Sequence, residues 1–169
     1  MPMSSKEIAE VLAKALDMEY QGRLFYLECC GKTKSMQGQE MFRFLAEEEW
    51  IHYDKVEKLF RREFNKEYEI YKESNRERIL DSGVFQKKVP GGSVDKSSDA
   101  LDALNIGISA EEKTIRLYSR LAKGVKHEKL KKFFINLAEE EKKHHVILEK
   151  EIEAVTGTGA YTDFQEVTS

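Results

Sequence analysis

The stretch Leu45-Ala46-Glu47-Glu48-Glu49-Trp50-Ile51-His52 returns later in the chain as Leu137-Ala138-Glu139-Glu140-Glu141-Lys142-Lys143-His144. The two copies stand 92 residues apart, and the same offset carries Glu19 onto Glu111, Tyr26 onto Tyr118 and Phe42 onto Phe134. One such match can arise by accident in a Glu-rich chain. A constant offset across two helical stretches and the turn between them is hard to explain that way. The chain reads as a duplicated unit, and its pseudo-symmetry predicts a site where the two halves meet.

That unit is a helical hairpin. Proline occurs only at Pro2 and Pro90, and the long runs without it are rich in Glu, Lys, Leu and Ala, which favour helix. Helix A is expected over about 5–30, opened by a capping box between Ser4 and Glu7 and stopped by Gly31. Helix B runs from about Ser35 to beyond Arg62. Helix C begins at the N-cap types Ser97, Ser98 and Asp99 and ends at Gly124. Helix D runs from about Lys126 to just before Gly157. Short turns make A–B (about 5–63) and C–D (about 97–155) antiparallel hairpins.

The connector over about 64–96 is too long for a turn. A helix of about 26 residues is about 39 Å long, so a crossover that returns along a bundle needs such a length. Part of it is expected to continue helix B or to form a short helix. The predicted architecture is one all-α domain over 1–169, a four-helix bundle of two duplicated helical hairpins joined by a long crossover, with a short tail.

Composition narrows the function classes. A chain of 169 residues can bury a core without disulfides. With 35% charged and 40% hydrophobic residues it is neither a disordered polar chain nor a membrane span. The 28 basic and 31 acidic residues leave a net charge of −3, which gives no reason to expect nucleic acid or an anionic membrane as partner. The N-terminus carries no apolar signal core, so a cytoplasmic protein is expected. Cys29 and Cys30 are adjacent, which makes a disulfide between them awkward and matches no C-x-x-C metal motif. They read as reduced thiols that pack.

Helical phase locates the chemistry. Helix B has an apolar seam through Phe42, Leu45, Val56 and Leu59, and Glu49 and His52 occupy that same seam. Helix D repeats it with Phe134, Leu137, Glu141, His144 and Leu148. Helix A places Glu19 among Ile8, Leu12, Ala15, Gly22 and Tyr26, and helix C places Glu111 among Leu104, Gly107, Thr114, Tyr118 and Leu121. Each helix thus brings one carboxylate to mid-seam, and two add an imidazole one turn later.

An ionised carboxylate buried without a partner costs several kcal/mol. Four in one bundle centre need compensating charge, and no seam position near them holds Lys or Arg. Two divalent cations would balance Glu19, Glu49, Glu111 and Glu141, and His52 and His144 would each add a neutral nitrogen. One Glu from each of two helices and Glu-x-x-His from each of the other two is the donor set of dimetal carboxylate bundles. Glu47, Glu48, Glu139 and Glu140 fall off the seam and read as surface charges, although spacing alone would permit Glu48 and Glu140 as ligands. His127 and His145 also read as surface groups. Tyr26 and Tyr118, two turns beyond their Glu, are read as hydroxyls that hydrogen-bond a ligand carboxylate and orient it. Gly22 and Gly107 suit close helix approach or space beside the metals.

The repeated pairing of a Glu…Tyr helix with a Glu-x-x-His helix resembles the rubrerythrin branch of the ferritin-like superfamily, over both hairpins. The resemblance implies a non-haem di-iron pair. Glu49 and Glu141 would bridge or chelate, Glu19 and Glu111 would be terminal or bridging, and His52 and His144 would each bind one metal. It implies reduction of hydrogen peroxide, or oxidation of Fe(II) by dioxygen. Hard oxygen ligands favour iron or manganese, and zinc stays open.

Two features depart from the family pattern. Rubrerythrins usually carry a rubredoxin-like domain with paired C-x-x-C ligands, which this sequence lacks, so an external electron-donor protein is expected. They also carry a further Glu three residues after the helix C Glu, where this chain has Thr114. The leading expectation is a di-iron peroxide reductase acting in a homo-oligomer. A ferroxidase or iron storage or delivery protein, and a helical interaction module with vestigial ligands, stay open.

Overall fold

Ser4 opens the first helix. Its hydroxyl accepts from the Glu7 amide at 3.2 Å, and its own amide donates to the Glu7 carboxylate at 2.8 Å, which satisfies two otherwise free backbone donors. In the computed structural model, residues 1–75, 94–95 and 97–164 are described. The helices are α1 (Ser5–Lys32), α2 (Met36–Glu63), α3 (Asn65–Ser74), α4 (Ser97–Gly124) and α5 (Glu128–Thr158). Every element among the described residues is helical.

Two helix ends correct the expectation. Gly31 does not stop α1, because the chain stays helical through Lys32; the Thr33 hydroxyl caps the end by donating to the Cys29 carbonyl at 2.6 Å. Helix α5 likewise passes Gly157 and ends at Gly159, which takes the left-handed φ of 77° that a side chain disfavours. Both cysteines are free. Burial pushes the Cys29 thiol pKa upward, which suits a packing thiol.

Side-chain pairs across the bundle set the helix directions. Tyr26 of α1 meets Glu111 of α4, and Tyr118 of α4 meets Glu19 of α1, so α1 and α4 run antiparallel. His52 with Glu141 and Glu49 with His144 do the same for α2 and α5. With α1–α2 and α4–α5 as antiparallel hairpins, α2 and α4 must point the same way. The link between them has to return along the bundle, about 42 Å for a helix of 28 residues.

The described ends of that link agree. After a break at Phe64, α3 turns back onto α1 and α2. Tyr68 lies 5.5 Å from the Phe60 ring centre, and the Tyr71 hydroxyl donates to Asp17 at 2.8 Å. At the far end the Val94 amide donates to the Lys32 carbonyl at 3.1 Å. The Asp95 carboxylate there accepts from the Lys34 and Ser35 amides at 2.7 and 3.0 Å. Ile79, Leu80, Val84, Phe85 and residues 89–92 of the crossover lie outside the described residues.

The core divides into two apolar layers. One contains Leu12, Leu16, Val56, Leu59, Phe60, Leu121, Phe134 and Leu137. The other contains Phe25, Met41, Phe42, Leu45, Leu104, Ile147 and Leu148. The mid-seam Glu and His residues lie between them. None of the described helices is long and apolar enough to cross a membrane.

Asp95 ties the end of the crossover to the α1–α2 turn. Asp95→Ala removes the acceptor of two backbone amides and is expected to lower unfolding free energy by about 1–2 kcal/mol. Denaturant unfolding monitored by circular dichroism checks this.

Candidate metal centre

Each hairpin delivers its polar residues to the middle of the bundle because their spacing keeps them in phase with the apolar seam. All six inner residues are buried: Glu19, Glu49, His52, Glu111, Glu141 and His144. Glu141 sits between the imidazoles, with Oε1 2.8 Å from His52 Nδ1 and Oε2 3.0 Å from His144 Nδ1. Glu49 Oε1 is 3.3 Å from His144 Nδ1. The outer pair is symmetric as well, with Glu19 3.8 Å from His52 Nδ1 and Glu111 3.7 Å from His144 Nδ1. The two imidazoles stack with centres 5.3 Å apart. One donor atom from each of Glu49, His52, Glu141 and His144 lies within 4.8 Å of the others. Glu19 and Glu111 flank that group of four.

The tyrosines cross the bundle. The Tyr26 hydroxyl donates to Glu111 Oε1 at 2.5 Å, and the Tyr118 hydroxyl donates to Glu19 Oε1. Each therefore holds the carboxylate of the opposite half. Tyr26 stacks on Phe42 and Tyr118 on Phe134, both with centres 6.4 Å apart, so the supporting rings also obey the repeat.

The glycines provide room. A Cβ on Gly22 would stand 2.8 Å from Glu49 Oε2, so the missing side chain is the space into which Glu49 leans. A Cβ on Gly107 would stand 3.1 Å from Leu148 and 3.2 Å from the Tyr26 hydroxyl.

Two residues correct the sequence reading. Glu48 and Glu140 are partly buried and are not simple surface charges. Each faces the outer nitrogen of the histidine in the other half. Glu140 Oε2 is 2.8 Å from His52 Nε2, and Glu48 Oε2 is 3.9 Å from His144 Nε2. The spacing within one helix carries no sign of this, because the partner belongs to the other hairpin. Glu47 and Glu139 are exposed as expected. His127 is exposed, and His145 pairs with Glu112 at 3.4 Å and Glu149 at 3.5 Å on the outside.

The electrostatics show a layer short of positive charge. Among the described residues no Lys or Arg is buried. Burial, then the nearby Glu141, pushes Glu19 up to about 8 and Glu111 up to about 7. Burial followed by Glu141, Glu111 and Glu19 raises Glu49 well above the usual carboxylate range. Burial also works against charge on Glu141, yet His52 and His144 hold it well below that range. His52 answers with a pKa of about 10, because Glu141 and Glu140 outweigh its own burial. Glu19 Oε2, Glu49 Oε1, Glu141 Oε2 and His144 Nδ1 on the inner side, and His52 Nε2 on the outer side, are buried and complete no hydrogen bond despite their close ion-pair contacts. Inward-facing orphan donors of this kind fit cations. Four carboxylates and two imidazoles are a hard, oxygen-rich set suited to iron or manganese.

Helical hairpins repeated about such a layer define the ferritin-like class of dimetal bundles. A sequence model of the rubrerythrin family matches residues 10–88 and 102–168. The chain belongs to the rubrerythrin family, and its buried Glu/His cluster fits a di-iron site. A solved structure of a hypothetical protein from Pyrococcus furiosus is similar in fold. Its TM-score is 0.68 at 25% identity, over 89% of this chain and 90% of that one. No curated protein matches the chain.

Two outcomes follow from this geometry. Gly22→Ala should leave thermal stability little changed, since the gain of about 1 kcal/mol of helix propensity is offset by a Cβ that stands 2.8 Å from Oε2 and 3.2 Å from Cδ of the buried Glu49, which has to shift. Metal affinity should fall about tenfold, read by metal titration beside a melting curve. Metal uptake should also release protons, because Glu19, Glu49, Glu111 and both histidines hold them above their ordinary range. Metal displaces those protons, so affinity should rise with pH between about 6 and 8, read with an indicator dye and by titration at several pH values.

Proposed function

We propose that this protein is a non-haem di-iron oxidoreductase that reduces hydrogen peroxide with electrons from an external donor protein. The observation that carries the reading is the buried layer of four carboxylates and two imidazoles without a buried Lys or Arg among the described residues. Two divalent ions balance its formal charge of −4. Glu19 with His52 would hold one ion, Glu111 with His144 the other, and Glu49 and Glu141 would serve both. Two Fe(II) ions so held supply two electrons together, the number that converts H₂O₂ and two protons into two waters.

The chain's own groups prepare that chemistry. Tyr26 and Tyr118 orient Glu111 and Glu19 by donating to them. Burial, and then the facing carboxylates, keep both phenols protonated, so they remain donors. The apolar layers on either side limit water, which strengthens the electrostatics between them. The missing side chain at Gly22 lets the Glu49 carboxylate sit where it does, since a Cβ there would stand 2.8 Å from Oε2.

One observation favours a second reading. Thr114 is buried and bonds the Ala110 carbonyl at 3.1 Å, so α4 offers a hydroxyl where the family's further carboxylate stands. Its absence weakens the link to peroxide and supports oxidation of Fe(II) by dioxygen as the alternative.

Anaerobic loading with Fe(II), then H₂O₂ or O₂ with ferric absorbance followed in time, separates the two. The peroxide reading expects much faster oxidation by H₂O₂ at two irons per chain. Faster oxidation by O₂ with continued iron loading overturns it in favour of ferroxidation. Glu49→Ala and Glu141→Ala should each lose metal, while exposed Glu47→Ala should not. A chain that takes up no metal, and melts unchanged after chelator, is an interaction module and overturns both readings.

A further inference from the structure

The six inner residues obey the 92-residue offset without exception. Any inequality between the two metal positions must therefore come from the residues around them, and those do not all repeat. His52 Nε2 is 2.8 Å from Glu140, and Lys55 Nζ holds both oxygens of that carboxylate at 3.2 and 3.1 Å. The residue 92 positions beyond Lys55 is Ile147, a buried apolar side chain. The counterpart of Glu140 is Glu48, which stands 3.9 Å from His144 Nε2. A second break in the repeat points the same way. Gly22 corresponds to Thr114, so Glu49 has a gap to lean into where the corresponding position on α4 is filled. Glu141 stands 2.8 Å from His52 and 3.0 Å from His144, while Glu49 approaches His144 only to 3.3 Å.

We propose that Lys55, acting through Glu140, makes the two metal positions unequal, so that the position built on His52 binds its ion first and more tightly than the one built on His144. The inference rests on the dimetal reading above. A histidine whose outer nitrogen lies in ion-pair contact with an anchored carboxylate, 2.8 Å away at His52, has fewer ring orientations open to it before metal arrives. It presents Nδ1 to the site and loses less freedom on binding. The cation of Lys55 lies on the far side of Glu140, with its side chain 42% exposed, so water and the carboxylate screen it from the metal. Its effect is positional, and Lys55 is a positioning residue.

Co(II) alone, titrated into the chelator-stripped full chain, reads this through visible absorption and calorimetry without any turnover. Repulsion between two ions would split the binding steps even in a symmetric site, so single-histidine variants decide. His144→Ala should bind one Co(II) with the affinity of the wild-type first step. His52→Ala should bind one about tenfold more weakly. Lys55→Met should weaken the first step about tenfold and shift its absorption, and Lys55→Arg should restore both. Equal affinities in His52→Ala and His144→Ala overturn the proposal, as does a Lys55→Met titration identical to wild type. A wild-type chain that binds no Co(II) overturns the dimetal reading and this proposal together. Two ions bound with equivalent histidine variants overturn this proposal alone.

Discussion

Four carboxylates buried in one layer, with no buried Lys or Arg among the described residues to balance them, set the terms for the rest of this molecule. In a low-dielectric interior such charges repel one another and lose their hydration. Without cations the layer can only hold protons, and the raised pKa values of Glu19, Glu49 and Glu111 express that. The long helices, the apolar layers above and below and the tyrosine struts all hold this unfavourable group together. A fold selected for stability alone would place apolar residues at these seam positions.

Duplication is an economical way to build such a centre. One hairpin brings two carboxylates and one imidazole, which is half of a dimetal site. Two hairpins facing each other about a pseudo-twofold axis complete it. The axis also explains why each tyrosine holds the carboxylate of the other half and why Glu48 and Glu140 face the other half's histidine. The long crossover follows from the same geometry: α2 and α4 point the same way, and no short loop joins the end of one to the start of the other.

Where the repeat is broken, the surroundings of a symmetric centre become asymmetric. Lys55 against Ile147 and Gly22 against Thr114 are substitutions beside the ligands rather than among them. They leave the donor set intact while changing how firmly each donor is held. On the proposal above, two ligand sets of the same composition would bind unequally while both are kept.

Much of this was legible in the sequence, because local periodicity carries it. The period of 3.6 residues placed Glu19, Glu49, His52, Glu111, Glu141 and His144 on inward faces, and the offset of 92 related the two halves. Helix ends were less legible: Gly31 and Gly157 look like stops, but a glycine ends a helix only when its neighbours let it leave helical φ, as Gly159 does. The inward contacts of Glu48 and Glu140 are not legible for a different reason. The phase of a helix says which way a residue points relative to its own seam and nothing about what stands opposite. By itself the sequence determined the helices, their buried faces and the charge the centre carries, since these depend on spacing along one chain. Only the tertiary structure decided which tyrosine meets which glutamate, that Glu140 reaches His52 and that Gly22 makes room for Glu49. Those contacts join residues about 27 to 99 positions apart, and their distances are fixed by how the two hairpins pack.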